Sequence, residues 1–164
     1  MAHSFPTPKF ITGGCFCDCL RYRVDFPQDH NFQASSNTCQ CTHCRKQTGS
    51  LFVSVHMVTP ASTSFYFITD TRTLQANRIN ETAEYLICKC CGSFICWRLT
   101  SAWTDLVCFT VGTVDPLYLF GEGADGVEVP WEGFGMALAN GGGTHLYCMN
   151  EIRGVTDEIE ILGR

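Results

Sequence analysis

The chain has 164 residues, of which 45% are hydrophobic, and this length predicts a single domain with an apolar core. A formal net charge of −5, with no basic run, argues against nucleic-acid binding, because phosphate contacts need clustered Lys and Arg. The chain contains no run of about 18 apolar residues, so the sequence predicts no membrane span. The N-terminus does not resemble a secretory signal, so we expect a cytoplasmic protein.

The predicted elements are mainly short β-strands separated by turn residues. Residues 1–12 contain two prolines and are predicted to be a loose lead-in to one domain over residues 13–164. Runs of aromatic and β-branched residues predict strands at 19–26, 51–58, 64–69, 84–88, 94–99 and 106–114. A short helical turn is expected at 41–48, and 158–162 is a candidate last strand.

Residues 121–143 are rich in glycine and predict a long insertion loop, since glycine raises the entropy of the free chain. Such a segment is either a surface excursion or a lid that covers a ligand. Trp131, Phe134 and Met136 supply the apolar groups that a lid needs. Both interpretations stay open at the level of the sequence.

Nine of the 12 cysteines fall in three short stretches, at 15–19, 39–44 and 88–91. In a reducing compartment, clustered cysteines indicate metal binding or thiol chemistry rather than a disulfide framework. Four thiolates make a closed tetrahedral zinc site, whereas three leave one position open for chemistry. The cysteine spacing therefore predicts one site of each kind.

Two cysteine pairs have the spacing of a closed site. A C-x-C on a strand places both side chains on one face, and a C-x-x-C in a tight turn supplies a second pair. These pairs are Cys15 with Cys17 and Cys88 with Cys91. Cys19 is a competing ligand on the same strand face, and Cys90 is expected to point away from the turn. We interpret this four-cysteine group as structural.

The remaining cluster supplies Cys39, Cys41 and Cys44 from one six-residue segment. Its fourth position is expected to hold water, a substrate thiolate or a distant side chain, and His43 would have to point back past its neighbours. Alternatively, a further cysteine closes the site; the candidates are Cys19, Cys90, Cys96, Cys108 and Cys148. Cys96 and Cys108 lie in apolar strands, where core packing is the default.

These motifs, in this order, resemble the glutathione-dependent formaldehyde-activating enzyme family, also called the centromere protein V domain. The matching stretches are 13–17 with 21–22, 39–50, 88–93 and 112–115, with a weaker echo at 145–147. The resemblance implies an Mss4-like β-tent, built of small antiparallel sheets around zinc. It also implies two Zn²⁺ per chain: a structural ion at the four-cysteine group and a catalytic ion at the three-cysteine group. The implied activity is carbon–sulfur lyase chemistry on S-(hydroxymethyl)glutathione, with glutathione as a candidate co-substrate.

Four residues after the triplet are candidates for substrate binding. Arg45 and Lys46 are placed to pair with a substrate carboxylate, or they form an ordinary solvated surface pair. Thr48 and Ser50 are placed to hydrogen-bond substrate, or they cap a turn.

The chain also departs from the family pattern. Asp18 followed by Cys19 replaces a usual glycine, and Gln40 replaces a usual histidine. These departures favour, as an alternative, an enzyme repurposed for another small molecule in a biosynthetic pathway. A non-catalytic zinc module that binds a protein is a second alternative. The segment 147–150 also echoes the nucleophile segment of methionine sulfoxide reductases, although the rest of that pattern is missing.

Overall fold

A computed structural model of the chain describes residues 5–101, 104–125 and 127–162. The strands are β1 Phe10–Gly14, β2 Arg21–Asp25, β3 Ser36–Cys39, β4 Val53–Val58, β5 Phe65–Phe67, β6 Leu74–Asn80, β7 Ala83–Cys88, β8 Phe94–Leu99, β9 Val107–Thr110 and β10 His145–Leu146. The helices are α1 Phe32–Ser35, α2 Thr42–Thr48, α3 Ala61–Ser64, α4 Pro116–Phe120 and α5 Gly135–Ala139. Short 3-10 turns lie at Val111–Thr113, Cys148–Asn150 and Glu160–Leu162.

The strands form two sheets. Three of them make a small antiparallel sheet in the order β1-β2-β5. Seven make the larger sheet in the order β10-β3-β4-β9-β8-β7-β6, in which only the edge pair β10–β3 is parallel. This arrangement confirms the predicted mainly-β fold of antiparallel sheets.

The two sheets pack through an aromatic contact between their inner faces. Burial alternates along β2, so Tyr22 and Val24 face the core and are fully buried. The Tyr22 ring stacks on Phe65 with ring centroids 5.1 Å apart and contacts Phe109 of the larger sheet at 6.2 Å. The Tyr22 hydroxyl is paired with Thr113 Oγ1 at 2.9 Å, which satisfies the polar end of the buried ring. Tyr22 therefore links the sheets that carry the cysteine stretches.

The fold differs from the predicted elements at both ends. Strand β1 begins at Phe10, inside the predicted lead-in, because Ile11 is fully buried and the strand pairs with β2. The candidate last strand at 158–162 is wrong. The Leu162 N–H donates to the Ile159 carbonyl within a 3-10 turn, and the buried Leu162 side chain anchors that turn. Residues 1–4 of the lead-in lie outside the described residues.

The glycine-rich segment 121–143 packs closely against the domain along part of its length. Helix α5 lies within it and buries Ala137 and Leu138 completely. The backbone at Gly133 lies so close to α4 that an added Cβ would come within 2.4 Å of the Leu119 carbonyl carbon. Trp131, by contrast, is 87% exposed. Gly126 lies outside the described residues.

Candidate metal centres

The first half of the four-cysteine group forms where β1 ends. The chain turns tightly after Cys15, whose carbonyl accepts a hydrogen bond from the Asp18 N–H. The Leu20 N–H donates to Cys15 Sγ at 3.3 Å, and the Cys15 N–H donates to the Leu20 carbonyl. This turn directs Cys15 and Cys17 toward the same point.

The second half of this group forms in the turn between β7 and β8. The Gly92 N–H donates to the Cys88 carbonyl, and Gly92 takes a left-handed φ of 76°, which favours glycine. Ser93 joins the two halves, because its Oγ accepts a hydrogen bond from the Phe16 N–H at 3.0 Å and lies 3.2 Å from Cys91 Sγ. No local motif predicts this role of Ser93, because it depends on how the two turns meet.

The four sulfur atoms lie within 4.8 Å of one another. Cys15 Sγ and Cys17 Sγ are 3.6 Å apart, and Cys17 Sγ and Cys88 Sγ are 3.8 Å apart. Zinc–sulfur bonds of about 2.3 Å place the corners of a tetrahedron about 3.8 Å apart, so the thiols fit a zinc ion. Burial raises the pKa of Cys15 to about 11, so a bound cation would have to displace a firmly held proton.

The three-cysteine group forms where β3 passes into α2. Cys39 ends the strand, and Cys41 is the N-cap of the helix, its Sγ accepting a hydrogen bond from the Cys44 N–H at 3.3 Å. The three sulfur atoms lie within 4.8 Å of one another, and Cys39 and Cys44 are buried. The Cys44 thiol donates to Cys39, which lowers the pKa of Cys39 to about 6 and raises that of Cys44. The donor set therefore already favours one thiolate and is chemically suited to a thiophilic cation.

Within the residues that the structure describes, no fourth His, Cys, Asp or Glu joins the three-cysteine group. Cys96 and Cys108 are buried in the core, as core packing predicts, and the Cys148 thiol donates to the His145 carbonyl at 3.1 Å. Cys19 and Cys90 are exposed near the other group. None of the five cysteines considered as a closing ligand therefore joins the three-cysteine group, although Cys108 packs in the same apolar cluster as Cys39 and Cys44.

Tyr85 is the neighbour that sequence reasoning missed. Its hydroxyl lies 3.2 Å from Cys44 Sγ, and its ring packs on Phe94 with centroids 4.6 Å apart. Burial, together with the adjacent Cys44 thiol, raises the pKa of Tyr85, so the phenol keeps its proton. The contact joins positions 41 residues apart and depends on how β7 packs against α2, which no local motif reveals.

Three of the four candidate substrate residues line one of two grooves, and the fourth contacts a turn. Lys46 lines a groove of about 270 Å³ with His43 and Tyr85. Thr48 and Ser50 line a second groove of about 520 Å³. Arg45 instead reaches the C-terminal part of the chain, where its Nη1 donates to the Asn150 carbonyl at 3.4 Å.

The larger groove lies close to both cysteine groups. Its walls include Cys91 and Ser93 at the four-cysteine group. Val53 and Phe94 also line the groove, and they pack in one apolar cluster with Cys39 and Cys44 of the three-cysteine group. The Thr48 hydroxyl donates to the Cys44 carbonyl at 2.9 Å, and it also accepts from the Ser50 N–H at 3.2 Å. Thr48 thus ends helix α2 structurally as well as facing this groove.

Comparison with known proteins places these features in context. The family model described as glutathione-dependent formaldehyde-activating enzyme matches residues 10–125. A crystal structure of a Rhodobacter sphaeroides protein superposes with a TM-score of 0.51 at 18% identity, covering 74% of this chain and 99% of the other. No curated protein sequence matches significantly. Among the described residues, no helix is long and apolar enough to span a membrane.

Proposed function

The chain belongs to the glutathione-dependent formaldehyde-activating enzyme family, and from this premise we propose that it is a zinc-dependent carbon–sulfur lyase. Its substrate is a thiol–aldehyde adduct such as S-(hydroxymethyl)glutathione, made or broken at the three-cysteine group. The observation that carries the proposal is that three thiols converge there without a fourth His, Cys, Asp or Glu among the described residues. Such a donor set leaves one coordination position for a small molecule.

The three cysteines would hold the catalytic zinc, and the four-cysteine group would hold a structural one. A zinc ion with an open position supplies two kinds of chemistry: it lowers the pKa of a bound thiol, and it polarises an oxygen atom as a Lewis acid. Both are needed to add a thiol to an aldehyde or to reverse that addition. The fit of three converging sulfurs, one of them already inclined to be a thiolate, supports this assignment.

Tyr85 acts as a positioning residue in this proposal. Its hydroxyl fixes Cys44 through the 3.2 Å contact with Sγ, and packing on Phe94 holds the ring in place. A group that orients a metal ligand from outside the coordination sphere tunes both affinity and geometry. The burial that keeps the phenol protonated also keeps it available as a hydrogen-bond donor.

The grooves on either side of helix α2 are the proposed substrate sites. Lys46 lies beside Tyr85, where an ammonium group would attract a substrate carboxylate. The larger groove carries the hydroxyl group of Ser50, which suits the amide and carboxylate groups of a peptide-like thiol. The hydroxyls of Thr48, Ser93 and Thr113 also line it but already hydrogen-bond within the protein, so we assign them a weaker role. Arg45 would assist an anionic substrate only if it released the Asn150 carbonyl, so we assign it the weaker role.

The proposal is tested by NMR exchange spectroscopy on zinc-loaded protein mixed with glutathione and formaldehyde. We expect interconversion of free glutathione and its hydroxymethyl adduct to be faster than in buffer. Cys41→Ser is the control, because it removes one of the three donors, and it should return the exchange rate to that of buffer. Equal exchange rates for wild type and buffer would reject the formaldehyde assignment.

A second candidate is an enzyme of the same family that acts on a different carbonyl or thiol-conjugated molecule. The segment 127–143 lies beyond the family match, which ends at residue 125, and it exposes Trp131 and Met136. Apolar groups on such a segment would contact a substrate more hydrophobic than glutathione. Rates measured with a panel of aldehyde and thiol adducts separate the candidates, and replacing Trp131 with Ala should affect only the hydrophobic members.

A further inference from the structure

The larger sheet carries an apolar cluster on the face that is turned away from the small sheet. Side chains alternate along β4, so Val58 packs in the core between the two sheets, whereas Val55 and Met57 belong to the cluster that contains Cys39 and Cys44. Helix α2 contacts β4 at the end of this outer face where the three-cysteine group lies. Further along the face, the apolar side chains are only partly buried.

A hollow of about 190 Å³ lies in this less covered part of the outer face. An apolar cavity of about 150 Å³ is large enough to bind benzene, so the hollow has room for a phenyl ring or a chain of about six carbons. The apolar side chains that line it all belong to the cluster of Cys39 and Cys44; they are Val55, Met57, Trp97, Leu106, Cys108 and Leu146.

The rim of the hollow offers little to a charged group. The Asn37 amide is already engaged, because its Nδ2 donates to the Ser35 carbonyl at 2.8 Å and its Oδ1 accepts from the Thr144 N–H at 2.6 Å. Of the described residues that line the hollow, none carries a charged side chain. A hydrocarbon group therefore suits the hollow better than a carboxylate or a peptide chain does.

The hollow begins beside the three-cysteine group. Leu146, which lines it, pairs with Cys39 in the register between β10 and β3. Val55, on another wall, lies two residues along β4 from Val53, the partner of Cys39 in the register between β3 and β4. Two residues of strand span about 7 Å, so a molecule held at the three-cysteine group would reach the hollow with a substituent of a few carbon atoms.

We propose that the hollow binds the hydrocarbon group of the aldehyde-derived part of the substrate. The inference rests on the proposed lyase function and gives it a substrate class, R–CH(OH)–S–R′, in which R is apolar and larger than the hydrogen of formaldehyde. In synthesis the thiol sulfur bonds to the carbonyl carbon, the C=O π bond opens and the thiol proton ends on the oxygen; cleavage reverses these changes. The thiol part keeps the grooves beside helix α2.

One measurement detects binding in the hollow without any turnover. Zinc-loaded full-length protein, labelled with carbon-13 at the methionine methyl groups, is titrated with hexanol, an apolar probe that is not an aldehyde. We expect the Met57 methyl resonance to shift to a saturating limit, because Met57 lines the hollow. The Met149 methyl, which is 89% exposed and does not line it, should keep its position. Met57→Leu assigns the resonance.

A second measurement follows turnover of adducts of glutathione with straight-chain aldehydes of increasing length by NMR exchange. Relative to the uncatalysed reaction, kcat/KM should rise about fourfold per added methylene up to about six carbons and then level off. Met57→Trp fills the hollow and should abolish this dependence on length, and Leu146→Trp does the same from the β10 side. Met149→Trp, outside the hollow, should keep the wild-type dependence.

The outcomes separate this inference from the lyase proposal. If formaldehyde and all longer aldehydes are accelerated equally, or if hexanol leaves the Met57 methyl unshifted, the hollow is not a substrate site and the lyase function stands. If no aldehyde is accelerated, the lyase function is rejected and this inference falls with it. A Met57 resonance that moves with protein concentration instead of hexanol would assign the outer face to contact between two copies of the chain, which also overturns the inference.

Discussion

The two cysteine groups contrast in where their sulfurs come from. The four-cysteine group draws Cys15 and Cys17 from the end of the small sheet and the other pair from a hairpin of the large sheet. The three-cysteine group comes from a single strand-to-helix junction that β4 and helix α2 already hold in place. A cation in the four-cysteine group would therefore join separate parts of the fold. A cation in the three-cysteine group would bind to a junction that is already formed, so it would contribute less to the stability of the fold.

The largest expected effect comes from breaking the four-cysteine group. Cys88→Ser should lower the free energy of unfolding of the zinc-loaded protein by more than about 4 kcal/mol, because a lost metal is among the few causes of so large an effect. Chemical denaturation with zinc present measures it. Cys90→Ser, in the same turn but exposed, should stay within about 0.5 kcal/mol of wild type. Equal stabilities for wild type and Cys88→Ser would contradict a structural role for the group.

The same change in the three-cysteine group should leave the fold standing. Cys41→Ser should unfold near the wild-type denaturant midpoint and lose one zinc per chain. It should also lower the lyase rate at least about 100-fold, because loss of a metal ligand should reduce activity at least as much as loss of an outer-shell partner. Metal analysis and the NMR exchange rate measure both effects. Unfolding of Cys41→Ser comparable to that of Cys88→Ser would erase the contrast between the groups.

A milder change sharpens the account of Tyr85. Tyr85→Phe keeps the ring that packs on Phe94 but removes the hydroxyl that touches Cys44 Sγ. We expect about a tenfold loss of affinity for the second zinc, the lower end of the range for such contacts, with the first zinc unaffected. Competition with a chromogenic chelator measures the affinities. Tyr66→Phe, an exposed tyrosine paired with Asp25, is the control.

A comparison of the two cysteine groups at low pH must account for a buried histidine pair, because this pair also makes the free energy of unfolding depend on pH. His56 is fully buried, its Nδ1–H donates to the Leu138 carbonyl at 3.1 Å, and its Nε2 lies 2.9 Å from His30 Nε2. Burial lowers the pKa of His56 to about 3, and burial likewise lowers the pKa of His30. Below a pH of about 6.5, the ordinary pKa of histidine, the unfolded state therefore binds more protons than the folded state. The free energy of unfolding then falls as the pH falls toward 3.

We expect a loss of about 1 kcal/mol between pH 7 and pH 5.5 from His56, because each pKa unit corresponds to about 1.4 kcal/mol. Denaturation of zinc-loaded protein at the two pH values measures it. His56→Asn keeps an amide donor for Leu138 but cannot titrate, so its stability should vary less over this range. The same pH dependence in His56→Asn would assign the effect to other groups, with His30 and the neighbouring Asp29 the next to test.

The sequence predicted each cysteine pair and the triplet because those spacings are local, whereas the meeting of the two pairs in one group depends on how the two turns pack. Each pair or triplet is set by a spacing of two or three residues at a strand end or tight turn, and these spacings need no knowledge of the rest of the fold. Tyr85 and the histidine pair could not be predicted in this way. Their contacts join residues 41 and 26 positions apart and depend on strand register and packing.

Some strands were missed for a related reason. Strand β3 has the sequence SNTC, which carries no apolar alternation, yet all four residues are buried. Its polar side chains are satisfied across the fold, since Ser36 Oγ accepts from the Gly141 N–H and Asn37 Oδ1 accepts from the Thr144 N–H. Because these distant hydrogen bonds satisfy the buried polar groups, the strand can be buried without a periodic pattern of apolar residues in its sequence.

The measurement that tests the central claim most directly is a crystal structure of the zinc-loaded protein, with the ions located by anomalous scattering at the zinc edge. The account predicts two zinc ions per chain. One is bound by four cysteine sulfurs, and the other by Cys39, Cys41 and Cys44 with a water or a small molecule as its fourth ligand. A single ion, or a protein atom such as Tyr85 Oη completing the second site, would contradict an open catalytic position there.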